Sequence, residues 1–207
     1  MKGINRMAFE EFFDYDNIFA EDNDYLLKGL QEDDKEDYMN LLISVSEITK
    51  AYKNSDFYEF TWAKTLNDAE NLYLCIYLKE TGAFIGKVMI KEPRGDRPEI
   101  GVDIVEEYRR RRTAFSAVSL AIARLKELTG TRLVEFKAYE DNVPSINLIK
   151  KLGAVQTGDE DGEFAVFMRN ITKVINDYEL EESKIVNVDS FSDKELERRI
   201  LVFELEI

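Results

Sequence analysis

Four consecutive arginines, Arg109–Arg112, stand between the run Glu99–Val105 (EIGVDIV) and a segment of small residues that begins at Thr113. A strand feeding a helix at that point would present unpaired N–H groups and the positive end of the helix dipole, a setting that binds phosphate. The arginines add full positive charge, local because the screening length is only ~8 Å at physiological salt. Two readings stand: a pyrophosphate seat, or a solvated charged turn. A second run, Leu133–Tyr139, leads into Asn142-Val143-Pro144-Ser145. An amide and a hydroxyl then sit at the C-terminal exit of a strand, where open α/β sheets bind ligands. The same two residues also serve as ordinary helix caps.

What the chain lacks narrows the chemistry. It has no histidine and one cysteine, Cys75. That excludes Ser-His-Asp and Cys-His catalysis, histidine metal sites, cysteine zinc clusters and an intramolecular disulfide. No metal is expected. With 28 Lys+Arg against 42 Asp+Glu, the net charge is −14 over 207 residues. A broad nucleic-acid surface is disfavoured because phosphate contacts need a basic face. The acidity weakly favours a cationic or amine-bearing partner. No apolar stretch is long enough for a signal peptide or a membrane span, so the expected compartment is the cytoplasm.

The elements that would position these residues follow from hydrophobic spacing. Residues 1–24 form an acidic arm carrying Phe9, Phe12, Phe13 and Phe19. The arm either frays or docks, on the body or on a second subunit, which leaves a homodimer open. Tyr25–Leu30 reads as a strand, and a helix follows with Tyr38, Leu41, Leu42, Val45 and Ile48 at helical spacing. Leu72–Leu78 and Phe84–Ile90 read as a hairpin, with Gly86 a candidate bulge. Glu99–Val105 is a third strand there. Thr113–Leu128 reads as a helix closed by Gly130, and Leu133–Tyr139 alternates as a strand. Pro144 opens a further helix that ends at Gly153. An acidic turn at 158–162 and a strand at Phe164–Met168 come next. Residues 171–207 form an extension whose Ile200–Leu205 is a terminal strand joining the sheet. The order predicts a mixed α/β fold, with a core domain over 25–170 and no internal repeat.

Taken together, Gly101–Ala114 (GVDIVEEYRRRRTA) and Asn142–Ala154 (NVPSINLIKKLGA) resemble the GCN5-related N-acetyltransferase (GNAT) superfamily, and within it the branch that acetylates ribosomal-protein N-termini and related amines. Members of that branch read G-Y-W-L-x-P-E-Y-R-G-K-G-Y-A-T and then N-x-x-S-x-x-x-x-E-K-L-G-F. The resemblance covers roughly residues 25 to 170. It implies a curved mixed sheet of six to seven strands flanked by helices, in three α/β/α layers. It also implies transfer of an acetyl group from acetyl-CoA, as co-substrate, to a primary amine on a peptide N-terminus or a small molecule.

The resemblance assigns roles residue by residue. The pyrophosphate would sit on Arg109, Arg110, Arg111, Arg112, Thr113 and Ala114. Ile104 and Val105 would pair their backbones with the pantetheine arm, and Asn142 would hydrogen-bond it. Glu99 would act as general base, directly or through water, and Ser145 would stand beside both cofactor and departing thiolate. Tyr58, Phe60 and Trp62 fall where the family builds its acceptor pocket, or else belong to the core. Two departures stand out. The family's loop pattern Q/R-x-x-G-x-G/A has Arg112 at its glycine, and the tyrosine that serves many members as general acid is replaced by Ile149. These departures keep a second class in view, a non-catalytic GNAT-fold module that binds CoA or protein through a degenerate phosphate loop.

Overall fold

The computed structural model describes residues 8–46, 49–162, 166 and 198–207. The chain divides into two compact units, Met1–Glu135 with Leu205–Ile207, and Phe136–Glu204.

In the first unit, strands β1 (Ile18–Glu21), β2 (Tyr25–Gly29), β3 (Asn71–Leu78), β4 (Phe84–Lys91) and β5 (Glu99–Ile104) pair antiparallel in chain order. The start of β6 (Leu133–Tyr139) joins β5 in parallel at Glu99↔Glu135. The β3–β4 hairpin closes through Gly82, whose φ of 72° suits a residue without a side chain. Its pairing steps from Ile76↔Gly86 to Tyr77↔Phe84, so the bulge expected at Gly86 is present.

Alternation along these strands divides their apolar residues between two faces. One face meets helices α1 (Lys35–Val45) and α2 (Ser55–Leu66), with Leu30, Tyr38, Met39, Trp62, Leu66 and Cys75 forming a buried cluster. The other carries Leu72, Leu74, Ile76, Val88 and Ile90, all fully buried. Helix α3 (Thr113–Thr129) covers that side, packing on β1, β2, β4 and β5. Ala117, Ala121 and Leu125 form its buried stripe, which explains why its small residues recur at spacing four. Burying one such Leu or Ile side chain contributes ~1.5–3 kcal/mol.

The described residues form eight strands, not the expected six to seven. Two of them were not expected, one over Val155–Asp161 in the second unit and β1, inside the acidic N-terminal segment. Asp22 makes it possible: its carboxylate accepts from the Asp24 and Tyr25 amides at 2.8 and 2.7 Å and turns the chain back into β2. Phe9, Phe12 and Phe19 are buried. The Arg94 guanidinium lies 4.6 Å from the Phe9 ring centre and 5.4 Å from that of Phe12, and it bonds Glu11. The described part of the segment, residues 8–24, therefore packs within this unit.

Helix α2 had no sequence expectation. Its start is signalled by Asn54, whose side chain accepts from the Asp56 and Phe57 amides at 2.9 and 3.0 Å. Only Trp62 and Leu66 are buried along it, so its apolar stripe is too narrow to show as a periodic pattern.

Asp68 closes the turn between α2 and β3. It accepts from the Glu70 and Asn71 amides, the Asn71 side chain and the Tyr73 hydroxyl. Burial raises its pKa, but these hydrogen bonds outweigh it and hold the carboxyl below its ordinary value of 3.8. A depressed folded-state pKa gives stability that is present above 3.8 and lost as pH falls below it. Asp68→Asn is therefore expected to flatten the acid limb of a stability–pH curve measured by denaturant melts. An unchanged limb would remove this account.

In the second unit the strand order is β6, β8 (Arg199–Glu206), β7 (Val155–Asp161). The expected strand over Ile200–Leu205 is present within β8. Residues 158–161 are strand, not the acidic turn expected there. Their acids find cations: Arg199 on β8 pairs with Asp159 and Asp161, and Lys137 with Glu160 at 2.9 Å. Of the strand expected at Phe164–Met168, only Val166 is described, and it is helical; the rest lies outside the described residues, as do 171–197. Helix α4 (Val143–Leu152) starts with Pro144 and stops at Gly153, whose φ is 98°.

Candidate active site

β5 delivers the chain to the arginine run, and the run folds as a tight anchored loop. The Val105 amide bonds Ile85 O at 3.0 Å, and a 3-10 turn follows over Glu106–Tyr108. Arg109 reaches back with Nε to Ile104 O at 2.8 Å, tying the loop to the strand it leaves. Thr113, 3% exposed, donates its hydroxyl to Tyr108 O at 3.1 Å. All four residues of the run are exposed, with Arg111 5.9 Å from the Tyr108 ring centre. Ile104 is buried, while Val105 and Ala114 are half-buried.

Arg112 caps α3 with φ 67° and ψ 0°, in the left-handed region. Arg110 has φ 61°. The loop thus requires a backbone conformation that glycine adopts freely and arginine does not. Holding a non-glycine residue there costs about 1 kcal/mol. Arg112→Gly is therefore expected to raise stability by up to ~1 kcal/mol in denaturant melts, and a fall in stability would show that the Arg112 side chain itself holds the loop.

Among the described residues, pairing between β5 and β6 is confined to Glu99↔Glu135. Among the described residues no other strand pair forms along that edge of β5, so its backbone groups are open to another extended chain. Glu99 is the first residue of β5. Its side chain is 18% exposed, and Lys91 Nζ lies 2.6 Å from Oε1. A cross-strand lysine therefore fixes the carboxylate.

In the second unit, Asn142 caps α4, its Oδ1 accepting from the Ser145 amide at 3.2 Å. The capping alternative from the sequence is realised, and it leaves the Asn142 amide N–H groups and the Ser145 hydroxyl for other partners. Ser145 is half-buried in the first turn of α4. Ile149 is 4% exposed, a core residue.

The aromatic trio separates. Trp62 is core, its Nε1 donating to Glu32 Oε2 at 3.3 Å. Tyr58 is half-buried with Lys35 Nζ 5.7 Å from its ring centre, and Phe60 is 65% exposed.

Sequence reasoning missed a polar group beneath α1. Tyr77 donates its hydroxyl to Asp34, which also accepts from the Gln31 amide at 2.7 Å. Burial pushes the Tyr77 phenol up, and the neighbouring Cys75 and Asp34 push it further. Burial, reinforced by Asp34, also raises the Cys75 thiol, making it a poor nucleophile. Beside Cys75 on β4, Lys87 is 8% exposed, with Nζ 4.8 Å from the Tyr38 ring centre and 3.3 Å from Asp103 Oδ2. Among the described residues, no group of His, Cys, Asp and Glu could hold a metal ion, and no helix is long and apolar enough to cross a membrane.

A meander of β1–β5, a tight arginine loop leading into α3, and helices on both faces make up the first unit. The model for the acetyltransferase (GNAT) domain matches residues 20–155, and the chain belongs to that family. Solved structures share the fold. A spermidine N-acetyltransferase from Vibrio cholerae in complex with CoA and spermine is 14% identical, covering 89% of this chain and 96% of its own, with a TM-score of 0.63. A protein from the same organism, provisionally designated a ribosomal-protein-serine acetyltransferase, is 17% identical over 91% of this chain and 97% of its own, with a TM-score of 0.62. A Vibrio cholerae spermidine/spermine N-acetyltransferase in complex with manganese ions is 12% identical over 88% and 92%, with a TM-score of 0.58. None of the curated proteins matches the sequence.

Proposed function

We propose that the chain is an acetyl-CoA-dependent N-acetyltransferase that acetylates a primary amine by direct attack in a ternary complex. The loop at the start of α3 carries this reading. It has the left-handed turn at Arg112, the small residue Ala114, and exposed arginines at a 17-residue helix's N-terminus, in a chain of net charge −14. These residues fit a pyrophosphate, and the unpartnered edge of β5 fits a pantetheine arm added like a strand. The spermidine and ribosomal-protein enzymes among the structural neighbours support an amine as acceptor.

Bound acetyl-CoA supplies a thioester carbonyl; the chain supplies position and proton handling. Arg109–Ala114 hold the phosphates, and the backbones of Ile104 and Val105 align the arm. A backbone N–H in Val102–Ile104 donates to the carbonyl oxygen as negative charge develops there. Glu99, directly or through one water, takes the proton that the amine must lose. CoA departs as its thiolate and takes up a proton from solvent.

The test is a thermal shift with acetyl-CoA, coupled to detection of free CoA across an amine panel. Saturation at 100-fold over Kd is expected to stabilise the protein by ~2.7 kcal/mol. No shift sinks the reading. A shift without CoA release from any amine favours the non-catalytic module.

A further inference from the structure

Strand alternation puts a second carboxylate on the same face of β5 as Glu99: Asp103, four residues on. Gly101 stands between them, and a Cβ there would meet only Met89 Cε, at 3.6 Å. Room for a methyl group is therefore present between the two acids. Each acid pairs with a lysine of β4, but the pairs differ. Glu99 is held at 2.6 Å with its side chain 18% exposed, whereas Asp103 is 3.3 Å from Lys87 with its side chain 36% exposed. Lys87 is the buried member of the second pair, fixed over the Tyr38 ring. Burying a lysine costs free energy unless it is paired, so the Lys87 ammonium depends on Asp103. Asp103 depends less on Lys87, since part of its carboxylate meets solvent.

The position of Asp103 along β5 gives this asymmetry a use. Asp103 lies between Val102 and Ile104, in the segment whose N–H would meet the thioester carbonyl. Its side chain projects on the face that carries the proposed base. We infer that Asp103 receives the cationic amine of the acceptor through a charge-assisted hydrogen bond, with Lys87 as the positioning residue that competes for the same carboxylate. This rests on the acetyltransferase reading above. It makes the acceptor a protonated amine recognised by charge at the level of the thioester.

The competition predicts effects of opposite sign, which a merely structural pair would not give. Spermidine and a peptide with a free N-terminal serine serve as probes. Their affinity for the CoA-bound protein is read by titration calorimetry, their KM and kcat by CoA release, and acetyl-CoA affinity by thermal shift. Asp103→Asn is expected to weaken binding of the accepted probe and raise its KM about tenfold or more, with a smaller effect on kcat and acetyl-CoA affinity retained. Asp103→Glu is expected to recover most of the loss. Lys87→Met keeps an unbranched side chain over Tyr38 and is expected to lower the KM. If Asp103→Asn matches wild type while wild type turns over a probe, the Asp103 inference falls and the acetyltransferase reading stands. If Asp103→Asn and Lys87→Met weaken binding alike, the pair is structural and the inference falls. If wild type binds neither acetyl-CoA nor either probe, both fall. An Asp103→Asn protein that fails to fold leaves the decision to Asp103→Glu and Lys87→Met, whose predicted directions must both appear.

Discussion

Glu99→Gln is expected to lower kcat by ~10²–10⁴ while leaving acetyl-CoA affinity nearly unchanged. The carboxylate faces the amine in the proposed mechanism, and the chain has no histidine to take over proton transfer. Glutamine can still accept a hydrogen bond from Lys91. The lost ion pair is partly exposed and contributes at most ~1 kcal/mol, so the variant should fold. The measurement is kcat across pH. Full activity of Glu99→Gln at every pH would assign the proton to water or to another carboxylate.

Gly86→Ala carries the second large effect, although Gly86 is outside the chemistry. A Cβ at this position would lie 2.5 Å from the Asp103 carbonyl oxygen and 2.9 Å from Ile104 Cδ1. The first of these is backbone, which cannot rotate away, so β5 itself must shift. Overpacking of this kind costs ~1–3 kcal/mol. The expected result is a lower Tm together with a raised KM for acetyl-CoA, because the displaced residues are those proposed to hold the thioester. Gly101→Ala is the control, since its Cβ would make only an ordinary contact with Met89. Equal melting of the two variants would contradict this.

How much of this could be read beforehand depends on the range of the interactions involved. The β3–β4 hairpin, α3 and α4 were legible because their signals are local: a turn glycine, a stripe at helical spacing, and Pro144 with Gly153. β1 was hidden because its signal, Asp22 folding back onto two amides, sits among many other acids. β7 was misread because Asp159 and Asp161 look like turn residues until Arg199, about 40 positions away, is placed beside them. The site shows the same split. The arginine loop and the Asn142–Ser145 cap are contiguous motifs and stood out. The Lys87–Asp103 pair and the Tyr77–Asp34 bond, the latter 43 residues apart, required the sheet register. The left-handed turn at Arg112 could be posed as a question from residue type, and only backbone geometry answered it.

The strand order of the second unit sets a schedule for making the protein. β8 lies between β6 and β7, although it is translated after both. When β7 leaves the ribosome, the strand that will neutralise Asp159 and Asp161 does not yet exist. The nascent chain must carry these carboxylates and an unfinished ladder until Arg199–Glu206 arrives. Late, non-local strand insertion of this kind is slow, and it exposes unpaired edges in the interval. The acidic sequence of β7 suits that wait, because like charges keep two unfinished copies from pairing edge to edge. A composition that hid the strand from sequence reading thus doubles as protection during synthesis.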